Sequence, residues 1–386
     1  MISFPVGYYD FHSNNAINFQ MNRWYSSGCL SYAALTAAAL QIQNFEQWTQ
    51  TFCTLADQAQ AQDDWVACAT YLRAAQFFDL GDERSAAGGQ LKLDLYERCM
   101  AAYERAYADA GLLYARVPLA QGYLPVLYKT HAQDAKGVIV IHGGYDSFIQ
   151  EFVPYLLYGY ERGYDVYLFE GFGQGEVLNR CGIKMCPEWE LCTTPVLDYF
   201  GLADVTLIGV SLGGYLAARA AAYEPRIQRV VLYDLIYDFY GALLAQGPAL
   251  NRLLINTLMH FPHSALWRPL ERRMKANLFG DWLLRQGCHV FGARDLPEYL
   301  ACMRAYNTRT LSAKIRQDVL VLAGAEDMFT VYYQQQLRAL SAARSVEGRL
   351  FTAEEQAAHH CQIGNLSLAL DTIFEWIERK QFAAQA

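Results

Sequence analysis

Val205-Thr206-Leu207-Ile208-Gly209-Val210-Ser211-Leu212-Gly213-Gly214 is the stretch on which the fold turns. It is an apolar, partly β-branched run followed by G-x-S-x-G. Residues 215–223, mostly alanine and leucine, then read as a strong helix. A strand, a tight turn and a helix form the context in which G-x-S-x-G becomes a nucleophile elbow. The turn crowds the serine, so a side chain two residues before or after it would clash, which accounts for Gly209 and Gly213. The start of the helix aims backbone N–H groups at the serine, where negative charge develops during acyl transfer.

The pattern around this stretch is one of strands alternating with helices. Residues 112–119 and 123–128 read as two antiparallel strands joined by Gln121-Gly122. Residues 137–142 form a buried, nearly all β-branched strand that ends in His142-Gly143-Gly144-Tyr145-Asp146. A helix over 148–161, a strand over 165–170, the Gly-rich loop Gly171 to Glu176 and a helix near 187–200 lead to the elbow strand. Strands at 229–234, 319–323 and 349–351 follow. This order predicts an α/β fold with a mostly parallel sheet and helices on both faces. About 80 residues separate two of these strands, too many for a simple crossover. Helix formers and aromatics there predict a helical cap inserted over about 239–312.

The first part of the chain lacks strand-like alternation. Ala- and Leu-rich stretches at 28–42, 44–60, 63–80 and 90–110 have helical spacing, and Gly81-Asp82 and Gly88-Gly89 are expected to break them. Residues 1–111 therefore read as a helical accessory or lid domain, and 112–386 as the domain that carries the chemistry.

Apolar residues make up 53% of the 386-residue chain and charged residues only 18%, which implies extensive buried surface. A net charge of −8 without a basic run argues against nucleic acid as a partner. The 27 tyrosines and 20 phenylalanines would suit an aromatic-lined pocket or simple core packing. None of the ten cysteines forms C-x-x-C, and the cluster Cys181, Cys186, Cys192 has no His/Cys set at zinc spacing. No metal or organic cofactor is expected, and the thiols read as buried groups in a reducing compartment. The N-terminus lacks a signal-peptide pattern, and the longest small-apolar run, residues 32–40, is too short to span a bilayer. A soluble, cytoplasmic protein without membrane partners is expected.

Ser211 needs a base, and the base needs an orienting acid; in this strand–turn–helix setting they follow in the order Ser, Asp/Glu, His. Ala323-Gly324-Ala325-Glu326-Asp327 places carboxylates just past a strand. Asp327 is preferred to Glu326 because the shorter side chain follows a turn of the usual length. His359 and His360 are the histidines beyond the last strand, and adjacent residues point different ways, so at most one serves. Oxyanion donors are expected from the N–H of Leu212 and from Gly144 or Tyr145, with His142 bracing that loop.

Together, His142-Gly-Gly-Tyr-Asp-Ser147, Gly171-Phe-Gly-Gln-Gly-Glu176, the elbow, Gly324-Ala-Glu-Asp327 and the final His360-Cys361-Gln362 resemble the FrsA-like branch of the α/β-hydrolases. Asn22-Arg23-Trp24-Tyr25 and residues 67–75 resemble its N-terminal helical segments. One departure is Phe172, where that branch usually has proline. The resemblance implies an α/β-hydrolase fold with an N-terminal helical domain, and it selects His360 as the base. It also implies cleavage of a carbon–carbon bond beside a carbonyl, of retro-Claisen type, in an aromatic or polyketide small molecule. A carbanion leaves poorly, so an accessory acid would help; Glu151, Asp234 and Asp238 are the candidates. A carboxylesterase acting on a bulky ester, or a non-catalytic binding protein on a hydrolase scaffold, are the alternatives. The low charge content and the resemblance make a homodimer the assembly to test for.

Overall fold

A computed structural model describes residues 3–79 and 86–385. Five helices precede the first strand: α1 (Asn15–Ser26), α2 (Tyr32–Ala39), α3 (Phe45–Ala61), α4 (Trp65–Phe77) and α5 (Ala86–Ala106). Asn14, Ser31, Asn44 and Asp64 cap the first four, each accepting backbone N–H bonds of the first turn. α1 escapes the apolar periodicity because its buried face carries amides. The Asn22 side chain accepts from Tyr9 N (2.8 Å) and donates to Tyr9 O (2.8 Å). The break expected at Gly88-Gly89 does not occur, since α5 runs through both glycines. Packing of its later turns, including Tyr96, Cys99 and Tyr103, against α4 outweighs the cost of about 1 kcal/mol per glycine. The break expected at Gly81-Asp82 lies outside the described residues.

The strands are β1 (Leu113–Pro118), β2 (Tyr123–Lys129), β3 (Val138–His142), β4 (Asp165–Phe169), β5 (Val205–Val210), β6 (Ile227–Tyr233), β7 (Asp318–Gly324) and β8 (Ser345–Phe351). They form one sheet in the order β1-β2-β4-β3-β5-β6-β7-β8. β2 pairs antiparallel with β1 and β4, and all other pairs are parallel. β8 is longer than the three residues expected from sequence. It is an edge strand whose Glu347 and Arg349 obscure the apolar signal, yet it pairs with β7 over its full length.

Helices cover both faces: α6 (Val153–Glu161), α7 (Gly175–Asn179), α8 (Glu190–Phe200) and α9 (Gly213–Tyr223) come between or after the early strands. The β6–β7 connection carries α10 (Phe239–Ala245), α11 (Ala249–Leu258), α12 (Trp267–Lys275), α13 (Leu278–Phe291) and α14 (Leu296–Arg304). α15 (Tyr333–Ala339) and α16 (Leu366–Gln385) complete the chain. Ile139, Ile141, Val166 and Leu168 pack with α6 and α16 on one face. Val140, Tyr167 and Phe169 pack with α8, α9 and the N-terminal helices on the other. Burial on both faces explains why these strands are continuously apolar. No helix among the described residues is long and apolar enough to cross a membrane.

Among the contacts that attach the N-terminal helices to the rest, two are central. Trp282 of α13 stacks on Phe77 and donates its indole N–H to Phe77 O at 2.9 Å. Glu151, before α6, takes Arg23 of α1 on one oxygen (2.5 Å) and Arg73 of α4 on the other (2.5 Å). Burial alone would raise the Glu151 pKa, but the two guanidiniums outweigh it and hold the group below the usual carboxylate range. A depressed carboxylate contributes stability above its unfolded-state pKa and loses it as pH falls through the folded value. Glu151→Gln should therefore destabilise by about 3 kcal/mol at pH 7, by stranding buried positive charge. The loss relative to wild type should shrink toward pH 4. Urea unfolding at the two pH values checks both statements.

Candidate active site

The end of β5, at the middle of the sheet, delivers Ser211 into a left-handed backbone conformation, φ +64°. Its N–H donates to Tyr233 O at 2.6 Å. A Cβ at Gly209 would run into Gly213 O, and one at Gly213 would lie 2.8 Å from Gly143 O, so the turn tolerates glycine at both places. The Ser211 Oγ lies 2.8 Å from His360 Nε2, and His360 Nδ1 lies 2.6 Å from Asp327 Oδ2. An ionised carboxylate only accepts, so Nδ1 carries the proton and Nε2 is left to accept from the serine hydroxyl. Asp327 enters from the turn after β7 and also accepts from Phe329 N (3.2 Å).

Glu326 and His359 point elsewhere. His359 stacks on Tyr8 with ring centroids 3.6 Å apart, and its Nδ1 is 3.7 Å from Glu326 Oε2. Burial would lower the His360 pKa, but the Asp327 carboxylate overrides it and lifts the imidazole well above its ordinary value. Burial would raise Asp327, and His360 outweighs it, so the carboxyl sits below its ordinary value.

The loop after β3 lies against the elbow. A Cβ on Gly144 would come within 2.6 Å of Leu212 N, so glycine keeps the space in front of that N–H clear. Gly144 cannot itself be the second oxyanion donor, because its N–H is given to Ser147 Oγ at 2.8 Å. Leu212 and Tyr145 remain for that role. Gln174 pins the loop by donating to Gly143 O (2.8 Å) and Gly144 O (2.9 Å). The sequence motifs contain Gln174 and Ser147 but carry no signal for these contacts; only the fold brings both side chains onto this loop. His142 is fully buried, and its Nδ1 lies 2.9 Å from Gly143 O. Desolvation pushes its pKa down to about 4, so it stays neutral.

The three candidate accessory acids are all engaged. Glu151 is ionised between Arg23 and Arg73 and has no proton to give. Asp238 caps α10 by accepting from Gly241 N (2.9 Å) and is ion-paired with Arg309. Asp234 is fully buried behind His360. Among the described residues, Asp234, His360 and Cys361 bring metal-ligand atom types together. Both Asp234 oxygens and the His360 Nδ1 are already hydrogen-bonded within the protein, which leaves that set ill-suited to an ion.

Ser211 and His360 open onto a cavity of about 1100 Å³. Trp24, Phe77, Phe239, Phe279, Trp282 and Phe329 give it aromatic walls, and Arg23, Asp146 and Glu151 form a polar side. The N-terminal helices and the β6–β7 insertion thus both contribute to its lining. Gly144→Ala should cut hydrolysis of a p-nitrophenyl ester by roughly 100-fold, and it should also lower the melting temperature, because the added Cβ meets backbone atoms of the elbow. Absorbance kinetics and a thermal melt check this.

Comparison with known proteins agrees with this architecture. A family model described as "Alpha/beta hydrolase family" matches residues 138–365. The hydrolase acrC of Aspergillus aculeatus is 27% identical over 90% of this chain and 87% of its own length. The 20-hydroxy-prefusarin hydrolase FUS2 of Gibberella moniliformis is 25% identical over 89% of this chain and 90% of its own. The crystal structure of the 2,6-dihydroxy-pseudo-oxynicotine hydrolase superposes with a TM-score of 0.60 at 18% identity, covering 91% of this chain and 93% of that one. These matches fall in the branch that the sequence motifs resemble.

Proposed function

This chain belongs to the alpha/beta hydrolase family, and on that footing we propose that it is a serine-dependent hydrolase that cleaves a carbon–carbon bond beside a carbonyl, by retro-Claisen chemistry, in an aromatic or polyketide substrate. The observation that carries the proposal is the hydrogen-bonded chain Ser211–His360–Asp327 at the edge of a large aromatic cavity. The resemblance to a branch that trims polyketides, and a relative named for a prefusarin hydrolase, support the substrate class.

In this reading Ser211 Oγ attacks the ketone carbon as its proton passes to His360 Nε2. The N–H groups of Leu212 and Tyr145 hold the resulting oxyanion. Collapse breaks the carbon–carbon bond. The bonding pair leaves on the departing carbon as an enolate or electron-poor aryl carbanion, which takes the proton from the His360 imidazolium. The acyl group stays on Ser211. Water, deprotonated by His360, then attacks the acyl carbon, and serine and a carboxylic acid are released. Asp327 keeps the imidazole oriented and stabilises its charged form. The helical segment 1–111 serves in this reading as an accessory domain that closes one side of the cavity.

One observation favours a second reading. Glu151, Asp234 and Asp238 are all engaged elsewhere, so none of these three carboxyls is placed to protonate the leaving group. An ester, whose alkoxide needs only the His360 proton, would suit the same atoms. A carboxylesterase acting on a bulky ester is therefore the alternative.

Product analysis by liquid chromatography and mass spectrometry separates the two. Wild type and Ser211→Ala would each be given an aryl β-diketone and a bulky aryl ester. We expect Ser211-dependent release of a shortened ketone plus a carboxylic acid, with turnover lowered on the order of a thousandfold or more in the variant. Ester cleavage alone would reassign the protein as an esterase, and undiminished diketone cleavage by Ser211→Ala would remove the serine mechanism. His360→Ala should cost far more than His359→Ala, since only His360 touches Ser211. Because its carboxylate neighbour raises the His360 pKa, the neutral base is populated only above it. The acid limb of kcat/KM should accordingly lie above about pH 6.5. Asp327→Asn should move that limb to lower pH.

A further inference from the structure

His360 Nδ1 faces two carboxylates. Asp327 Oδ2 is at 2.6 Å, and Asp234 Oδ2, from the residue after β6, is at 3.4 Å. The two acids follow adjacent strands of the sheet, and each directs an oxygen at the same ring nitrogen. Asp234 also clamps the loop that carries the base. It accepts from Cys361 N at 2.7 Å and from Gln362 Nε2 at 3.0 Å. Cys361 and Gln362 both have positive φ, +54° and +49°, a backbone shape that non-glycine residues hold only when bonded into place. Tyr233, on the same strand as Asp234, adds a bond from its hydroxyl to Cys361 O at 3.0 Å.

From this geometry we propose that Asp234 is a second acid of the site, a positioning residue that shares the charge of His360 with Asp327 and can replace it as the Nδ1 acceptor. The inference rests on the serine-hydrolase reading above.

Two buried carboxyls facing one imidazole cannot both ionise cheaply. Burial raises the Asp234 pKa to about 6, while His360 holds Asp327 below its ordinary value. One proton is therefore shared within the pair in acid, and released toward neutral pH, where a second negative charge stands beside the imidazole. The titratable groups facing Asp234 are Asp327 from the turn after β7, His360 and Cys361 from the loop after β8, and Tyr233 from its own strand. When Asp327 is removed, a small rotation of the imidazole brings Nδ1 onto Asp234, because that oxygen already lies 3.4 Å away. A merely structural clamp would offer no such substitution.

The test compares Asp234→Asn, Asp327→Asn and the double variant, using kcat/KM for p-nitrophenyl acetate between pH 5 and pH 9 with Ser211→Ala as the control. Asparagine is isosteric and still offers an oxygen to Cys361 N, so the clamp is largely kept. Two results are expected. Asp234→Asn costs at least about tenfold more in the Asp327→Asn background than in wild type, because sites that share a partner are not additive. Asp234→Asn alone moves the acid limb of the profile down by about one pH unit, since loss of a nearby anion lowers the His360 pKa. An equal factor in both backgrounds, or an unmoved limb, overturns the inference. If a thermal melt shows the double variant unfolded, the limb of the single variant decides. Ester hydrolysis that survives in Ser211→Ala would instead overturn the serine reading, and this inference with it.

Discussion

The serine at φ +64° is the constraint on which the rest of the site depends. The left-handed turn between β5 and α9 lifts its hydroxyl out of the strand direction, toward His360. Everything that crowds this turn is small or is backbone. Gly209 meets Gly213, Gly213 meets the loop after β3, and Gly144 of that loop meets Leu212 N. The same close approach that forbids side chains leaves backbone N–H groups facing the place where an oxyanion would form. One arrangement of glycines thus meets the steric need and, under the proposed function, the electrostatic one.

Two buried charge clusters tie this centre to its surroundings, and they solve the desolvation problem in different ways. Around Glu151, two guanidiniums surround one carboxylate and keep it ionised, which fastens α1 and α4 to the wall of the cavity. Around His360, two carboxylates face one imidazole, so any proton the ring gains is held beside negative charge. The first cluster serves cohesion. The second favours the cationic form of the imidazole, which under the proposed mechanism is the form made when the serine loses its proton.

Much of this was legible in the sequence, for physical reasons that differ by element. The elbow was readable because a strand, two glycines and an alanine-rich helix carry strong local signals. The antiparallel β1–β2 pair and the β-branched β3 were readable for the same kind of reason. α1 was obscured because its buried face is built from Asn18, Gln20 and Asn22, whose amides are hydrogen-bonded rather than apolar. β8 was clipped because an edge strand exposes polar residues. The continuity of α5 through Gly88-Gly89 was hidden because packing against α4, remote in no local pattern, decides it. At the site, single residues with a fixed place in chain order were nameable from sequence. Gln174, Ser147 and the meeting of Asp234 with His360 depend on contacts between elements far apart in the chain, and no spacing rule reports those.

The central claim is that Ser211 is the activated nucleophile. Peptide mapping by mass spectrometry after incubation with a fluorophosphonate tests it most directly, because that reagent modifies a serine whose proton is being drawn off by a base. The account predicts a single adduct on the peptide containing Ser211, absent when His360 is replaced by alanine. An unmodified Ser211 in folded protein, or an adduct that persists unchanged without His360, would contradict it.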